Sequence, residues 1–67
     1  MKVIVTRQNA DGSFDDVGMR NRTLFSDLKT ERGAEKRARR LWPVGALRFE
    51  VFHGSFYGDP SFTFIRK

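Results

Sequence analysis

The apolar positions of this chain follow two periods, and the change between them outlines the fold. Val3, Ile4 and Val5 put three β-branched side chains in succession, and Thr6 adds a fourth. That run predicts a strand over Lys2–Gln8. Asn9-Ala10-Asp11-Gly12-Ser13 follows. Asp-Gly is a hairpin signal, because Gly accepts positive φ and Asp tolerates it. A second strand is expected over Phe14–Arg20, with Val17 and Met19 on one side and Gly18 and Arg20 on the other. Arg20-Asn21-Arg22 reads as a polar bulge or turn, with Thr23-Leu24-Phe25 as a continuation of the strand.

After Thr30 the period becomes helical. Ala34, Ala38, Leu41 and Trp42 fall at i, i+4, i+7 and i+8, on one apolar face. Thr30 is the expected N-cap, because its hydroxyl can accept a bond from an early helical amide. Glu31 and Glu35 lie near the start, and Arg37, Arg39 and Arg40 near the end, as the helix dipole favours. Pro43 disfavours helical geometry at Trp42 and stops the run. A start at Asp27 with Ser26 as cap is the alternative. Gly33 weakens either version by about 1 kcal/mol relative to Ala.

Leu47-Arg48-Phe49-Glu50-Val51 alternates apolar and charged residues, as a half-buried strand does. Phe52 breaks the alternation by being apolar on the outer side. His53 to Pro60 contains Gly54, Gly58 and Pro60 and reads as a loop. Ser61–Arg66 alternates again as a last strand. The order is β-β-α-β-β. Short connections favour antiparallel pairing. The expected fold class is α+β: a single antiparallel sheet of about four strands with one helix packed on one face and the other face wet. Residues 1–67 are expected to form one domain.

Composition decides whether such a chain folds. Charged residues make up 31% of it, which favours disorder. Seven Phe, one Trp and one Tyr argue the other way, because disordered segments are poor in aromatics. A chain of this size buries only about 60% of its unfolded surface. The expected core draws on Val3, Ile4, Val5, Phe14, Val17, Leu24, Phe25, Leu41, Leu47, Phe49, Val51 and Phe64. Dimerisation is a natural supplement to so thin a core.

Cysteine is absent and there is one histidine. Disulfides, thiolate metal sites and multi-histidine zinc sites are therefore excluded. No cofactor or metal is expected. Apolar runs are too short for a membrane span or a signal-peptide core, so a cytoplasmic protein is expected, in the host cytoplasm if phage-encoded.

Charge is the remaining anomaly. Thirteen Lys and Arg face eight Asp and Glu, for a net +5. At about 100° per residue from Ala34, Arg32, Lys36 and Arg39 fall opposite the apolar face, with Arg40 beside them. Such a row suits phosphates or an acidic protein surface. It also suits a plain solvated helix face with dipole-matched ends, and Glu35 is placed to pair with Arg39. The abundance of arginine favours contact, because its planar fork matches phosphate and carboxylate. A second candidate is the loop carrying Phe52, Phe56 and Tyr57. Beside Arg48 and Arg66, exposed aromatics there would stack bases or form a protein hot spot. Alternatively, Phe56 folds back over the sheet edge as a lid.

The case for catalysis is poor. His53 has no evident partner. Asp15 and Asp16 are adjacent on an expected strand and would point to opposite faces. No phosphate loop, dinucleotide fingerprint or nucleophile elbow occurs. The protein is expected not to be an enzyme.

Ala34-Glu35-Lys36-Arg37 followed by Leu47-Arg48-Phe49-Glu50-Val51 resembles, in style, small β-rich anti-CRISPR proteins of phages and mobile elements, in which one helix packs on a sheet. The resemblance covers the middle third of the chain. An N-terminal hairpin and an aromatic C-terminal loop depart from it. It implies an inhibitor docked on a nucleic-acid-processing complex, and it assigns no individual residue. The expected function is a non-enzymatic binding protein with a protein partner. The alternatives are a direct nucleic-acid binder and a small structural subunit, and a homodimer is compatible with each.

Overall fold

The helix and three of the four strands form where the two periods put them, in a computed structural model that describes residues 1–54 and 58–67. The elements are β1 (Lys2–Arg7), β2 (Arg22–Phe25), α1 (Glu31–Leu41), β3 (Leu47–Phe52) and β4 (Phe62–Arg66). The strands make one antiparallel sheet in the order β2-β1-β3-β4. The β-branched strand β1 is central, as its burial on both sides requires.

Register sorts the side chains into two faces. Val3 lies opposite Val51 and Phe25, Val5 opposite Phe49 and Thr23, and Phe49 opposite Phe64. Val3, Val5, Leu47, Phe49 and Val51 form the core with Leu28 and with Ala34 and Ala38 of α1. Alanine at the contact lets the helix backbone approach the sheet closely. The Phe49 and Phe64 rings stack at 4.8 Å between centroids.

Local signals explain the helix bounds. Thr30 is extended and its hydroxyl accepts the Gly33 amide at 3.1 Å. At the other end, the Trp42 amide still reaches the Ala38 carbonyl at 2.8 Å before Pro43 ends the run.

Several expectations need correction. The Asp-Gly turn forms: Gly12 takes φ +90, and the Asp11 carboxylate accepts the Ser13 amide at 3.0 Å. The second strand does not follow it. Residues 14–20 are irregular, and the strand is Arg22–Phe25. Asp15, Asp16 and Gly18 are poor strand formers, and their segment finds other partners. Arg48 reaches the Asp15 carbonyl at 3.0 Å and the Asp16 carboxylate at 3.2 Å, and its guanidinium lies 5.4 Å from the Phe14 ring centroid. The face away from the helix is thus partly covered, and Thr6 on it is fully buried.

Val17, Leu24 and Leu41 were expected in the core and are exposed, Leu41 at 55%. Leu28 and Phe52 are buried instead. Leu41 is outside because the helix is rolled. Glu35 and Arg39, about 100° and 140° from Ala34, are half-buried, whereas Arg37 on the other flank is exposed. Polar ties of Glu35 and Arg39 to β4, described next, hold the roll.

Candidate functional site

The arginines divide by what holds them. On the sheet face away from the helix, Glu50 of β3 receives Arg48 at 3.3 Å and Arg22 of β2 at 3.5 Å. The three side chains are between 10% and 17% exposed. Cross-strand register puts Thr6 between Arg22 and Arg48, and Arg22 donates to the Thr6 hydroxyl at 3.3 Å. Half-buried charges of this kind are neutralised in place and are not free for a ligand.

The flanks of α1 are tied in the same way. Arg66 pairs with Glu35, and its guanidinium carbon lies 4.6 Å from the Phe64 ring centroid. Glu35 therefore pairs with Arg66, not with Arg39. Arg39 instead donates to the backbone carbonyls of Gly45 at 2.7 Å and Trp42 at 3.3 Å, and reaches that of Arg66 at 3.5 Å. It closes the end of the helix against β4. On the other flank, Arg37 grips Asp27 at 2.7 Å and lies over the Phe25 ring. The Arg37 hydrogen bond holds the Asp27 carboxyl below the usual carboxylate range, and Asp27 raises the Arg37 pKa in return.

Three helical cations are left. Arg32, Lys36 and Arg40 are exposed and have no hydrogen bond or ion pair among the described residues. They lie at i, i+4 and i+8, a single ridge about 12 Å long at 1.5 Å per residue. The site expected as Arg32, Lys36, Arg39 with Arg40 beside it is thus corrected to Arg32, Lys36 and Arg40. Arg48 and Arg66 leave the candidate set, because intramolecular partners hold them. Phe56 and Tyr57 lie outside the described residues.

Lys29 is exposed immediately before the N-cap and extends the charge. Sequence reasoning missed it because it lies outside the helical period. His53 meets the edge of Phe62 at 6.1 Å. An open depression of about 390 Å³ lies between Met1, Lys2, Ser26, Phe52, His53 and Gly54. Asp15 and Asp16, expected on a strand, lie in irregular chain, where Asp15 accepts Asn9 at 2.8 Å and Asp16 holds Arg48. No group of three or more His, Asp or Glu placed to hold a metal occurs among the described residues. No helix is long and apolar enough to cross a membrane among the described residues. Comparison with protein-family models, with curated proteins and with solved structures finds no match to this chain.

Proposed function

We propose that this chain is a non-enzymatic binding protein that docks on an acidic surface of a partner protein through Arg32, Lys36 and Arg40. The supporting observation is their lack of partners in a molecule that ties up most of its other arginines. The position of Arg32 adds to it. A cation in the first helical turn opposes the helix dipole, at a cost of about 0.3–1 kcal/mol. Folding alone favours an acid there, as at Glu31. Arg32 is better explained by what it meets outside the chain.

Two features favour an acidic protein over nucleic acid. The ridge carries no aromatic side chain, and the described arginine–ring contacts lie elsewhere, under Arg7, Arg37, Arg48 and Arg66. Strand-binding surfaces combine basic residues with free stacking rings. In addition, an i, i+4, i+8 ridge matches the groove spacing of a partner helix with carboxylates at the same interval. The likeness of the middle third to anti-CRISPR proteins supports a nucleic-acid-processing complex as the class of partner. A non-catalytic role fits four of the eight Asp and Glu carboxylates, since Asp16, Asp27, Glu35 and Glu50 are held by arginines.

The test is capture with the immobilised chain, with and without nuclease, followed by mass spectrometry. A defined protein that survives nuclease supports the proposal. A capture that vanishes with nuclease and weakens steeply with salt makes nucleic acid the ligand instead.

A further inference from the structure

The two edges of the sheet differ in a way that assigns a second interface, independent of the helix ridge. In an antiparallel ladder, successive residues direct their N–H and C=O groups to opposite neighbours. The Gln8 amide donates to Ala46 at 3.0 Å, towards β3, and the Arg7 amide to Asn21 at 2.7 Å, towards β2. With the observed registers, Glu50 and Arg48 bond β1, so Leu47, Phe49 and Val51 bond β4. Phe62, Phe64 and Arg66 then point their backbone groups inward to β3. Those of Thr63 and Ile65 point outward, and no described strand meets them; the Ile65 carbonyl accepts only the exposed Arg66 side chain of its own chain, at 3.3 Å, among the described residues.

At the other edge, β2 has four residues, and the outward Arg22 amide turns back to the Met19 carbonyl at 3.5 Å. That edge is blunted by its own turn. The β4 edge is longer and more apolar, with Phe62 38% and Ile65 47% exposed. Natural sheets usually protect such an edge with charge, proline or a covering segment. Here the charges of β4 and the residue after it, Arg66 and Lys67, lie at one end only.

We propose that β4 pairs with β4 of a second copy of this chain, antiparallel about a two-fold axis at Phe64. This register is self-complementary. Thr63 and Ile65 of each copy exchange four backbone hydrogen bonds. Phe64 faces Phe64 across the close, non-hydrogen-bonded position, and Arg66 stands opposite Phe62. Arg66 stays on Glu35 and over Phe64 of its own chain, so its charge is already compensated at the seam. The two Arg66 side chains sit at opposite ends, about 14 Å apart at 3.4 Å per residue. That exceeds the screening length of about 8 Å at physiological salt, so two copies of net +5 tolerate the pairing. A strand pair of this length buries less than the roughly 1,200 Å² of a standard interface, so the dimer is reversible. Its product is an eight-stranded sheet with both helices, and both basic ridges, on one face.

The test is sedimentation equilibrium of the full chain over a wide concentration range. Wild type is expected to go reversibly from monomer to dimer. Ile65→Pro removes an outward amide that no described group uses, a position where edge strands tolerate proline, and is expected to stay monomeric with an unchanged circular dichroism spectrum. Ile65→Lys serves as the second variant if proline disturbs the fold. The chain has no cysteine, so mixing Thr63→Cys with Ile65→Cys reads the register. Mixed cross-links exceeding like-with-like ones support the two-fold at Phe64. A monomer at every concentration, a dimer that persists in both Ile65 variants, or dominant like-with-like cross-links would overturn the proposal.

Discussion

Arg48 and Lys36 are both cations on regular elements flanked by other arginines, and the structure treats them oppositely. Arg48 is 17% exposed, ion-paired to Glu50 and Asp16, and laid over Phe14. Lys36 is exposed, with Arg32 before it and Arg40 after it, and none of the three has a described partner. Arg48 is spent on folding: it pins the irregular segment 14–16 across the face that the helix does not cover. The ridge cations hold nothing in place. Net charge alone cannot separate these two uses; the partner of each guanidinium does.

That contrast predicts a graded series of effects. The largest should come from the core beneath both regions. Phe49→Ala removes a fully buried ring stacked on Phe64 and should cost about 3–5 kcal/mol in urea unfolding, which leaves little of a small domain's stability. Leu41→Ala, at an exposed position on the helix, should fall within about 0.5 kcal/mol of wild type. A large loss at Leu41 would show that the roll of the helix is wrong.

Arg48→Ala comes next. It strips Glu50 of one cation and releases the Phe14 segment, at an expected cost of about 1–3 kcal/mol. Arg40→Ala should be silent within about 0.5 kcal/mol. Equal effects at the two sites would erase the distinction between spent and unspent charge. Thr30→Ala removes the N-cap acceptor of the Gly33 amide and should cost about 1 kcal/mol, visible as lost helicity.

Arg32→Glu should be neutral or should stabilise the fold by about 0.3–1 kcal/mol, because it replaces a cation at the positive end of the dipole. The smallest effect belongs to Asp27, whose pKa is depressed by Arg37. Such a group stabilises the fold above its unfolded pKa and loses that contribution as pH falls through its folded value. An acid titration of Asp27→Asn should therefore converge with wild type at low pH and fall slightly below it near neutrality.

Much of the fold was legible because local chemistry dictates it. Val3-Ile4-Val5 favours a strand through its run of β-branched side chains, and Thr30 with Pro43 brackets the helix on both sides. The second strand was misplaced because Val17 and Met19 alternate like a strand but border residues that Arg48 captures from 33 and 32 positions away. Pattern within a segment carries no trace of such a distant competitor. The site was half legible for the same reason. Helical geometry places Arg32, Lys36 and Arg39 on one side. Only tertiary contact reveals that Arg39 is taken by the carbonyls of Trp42 and Gly45 and that Arg40 is not.

The most direct test of the central claim is partner capture by Arg32→Glu/Lys36→Glu/Arg40→Glu beside wild type, each shown folded by its thermal melt. Loss of capture with a melt at or above the wild-type midpoint is the predicted result, because the ridge supports binding and not the fold. Undiminished capture by the folded triple variant would contradict it and move the binding surface elsewhere on the molecule.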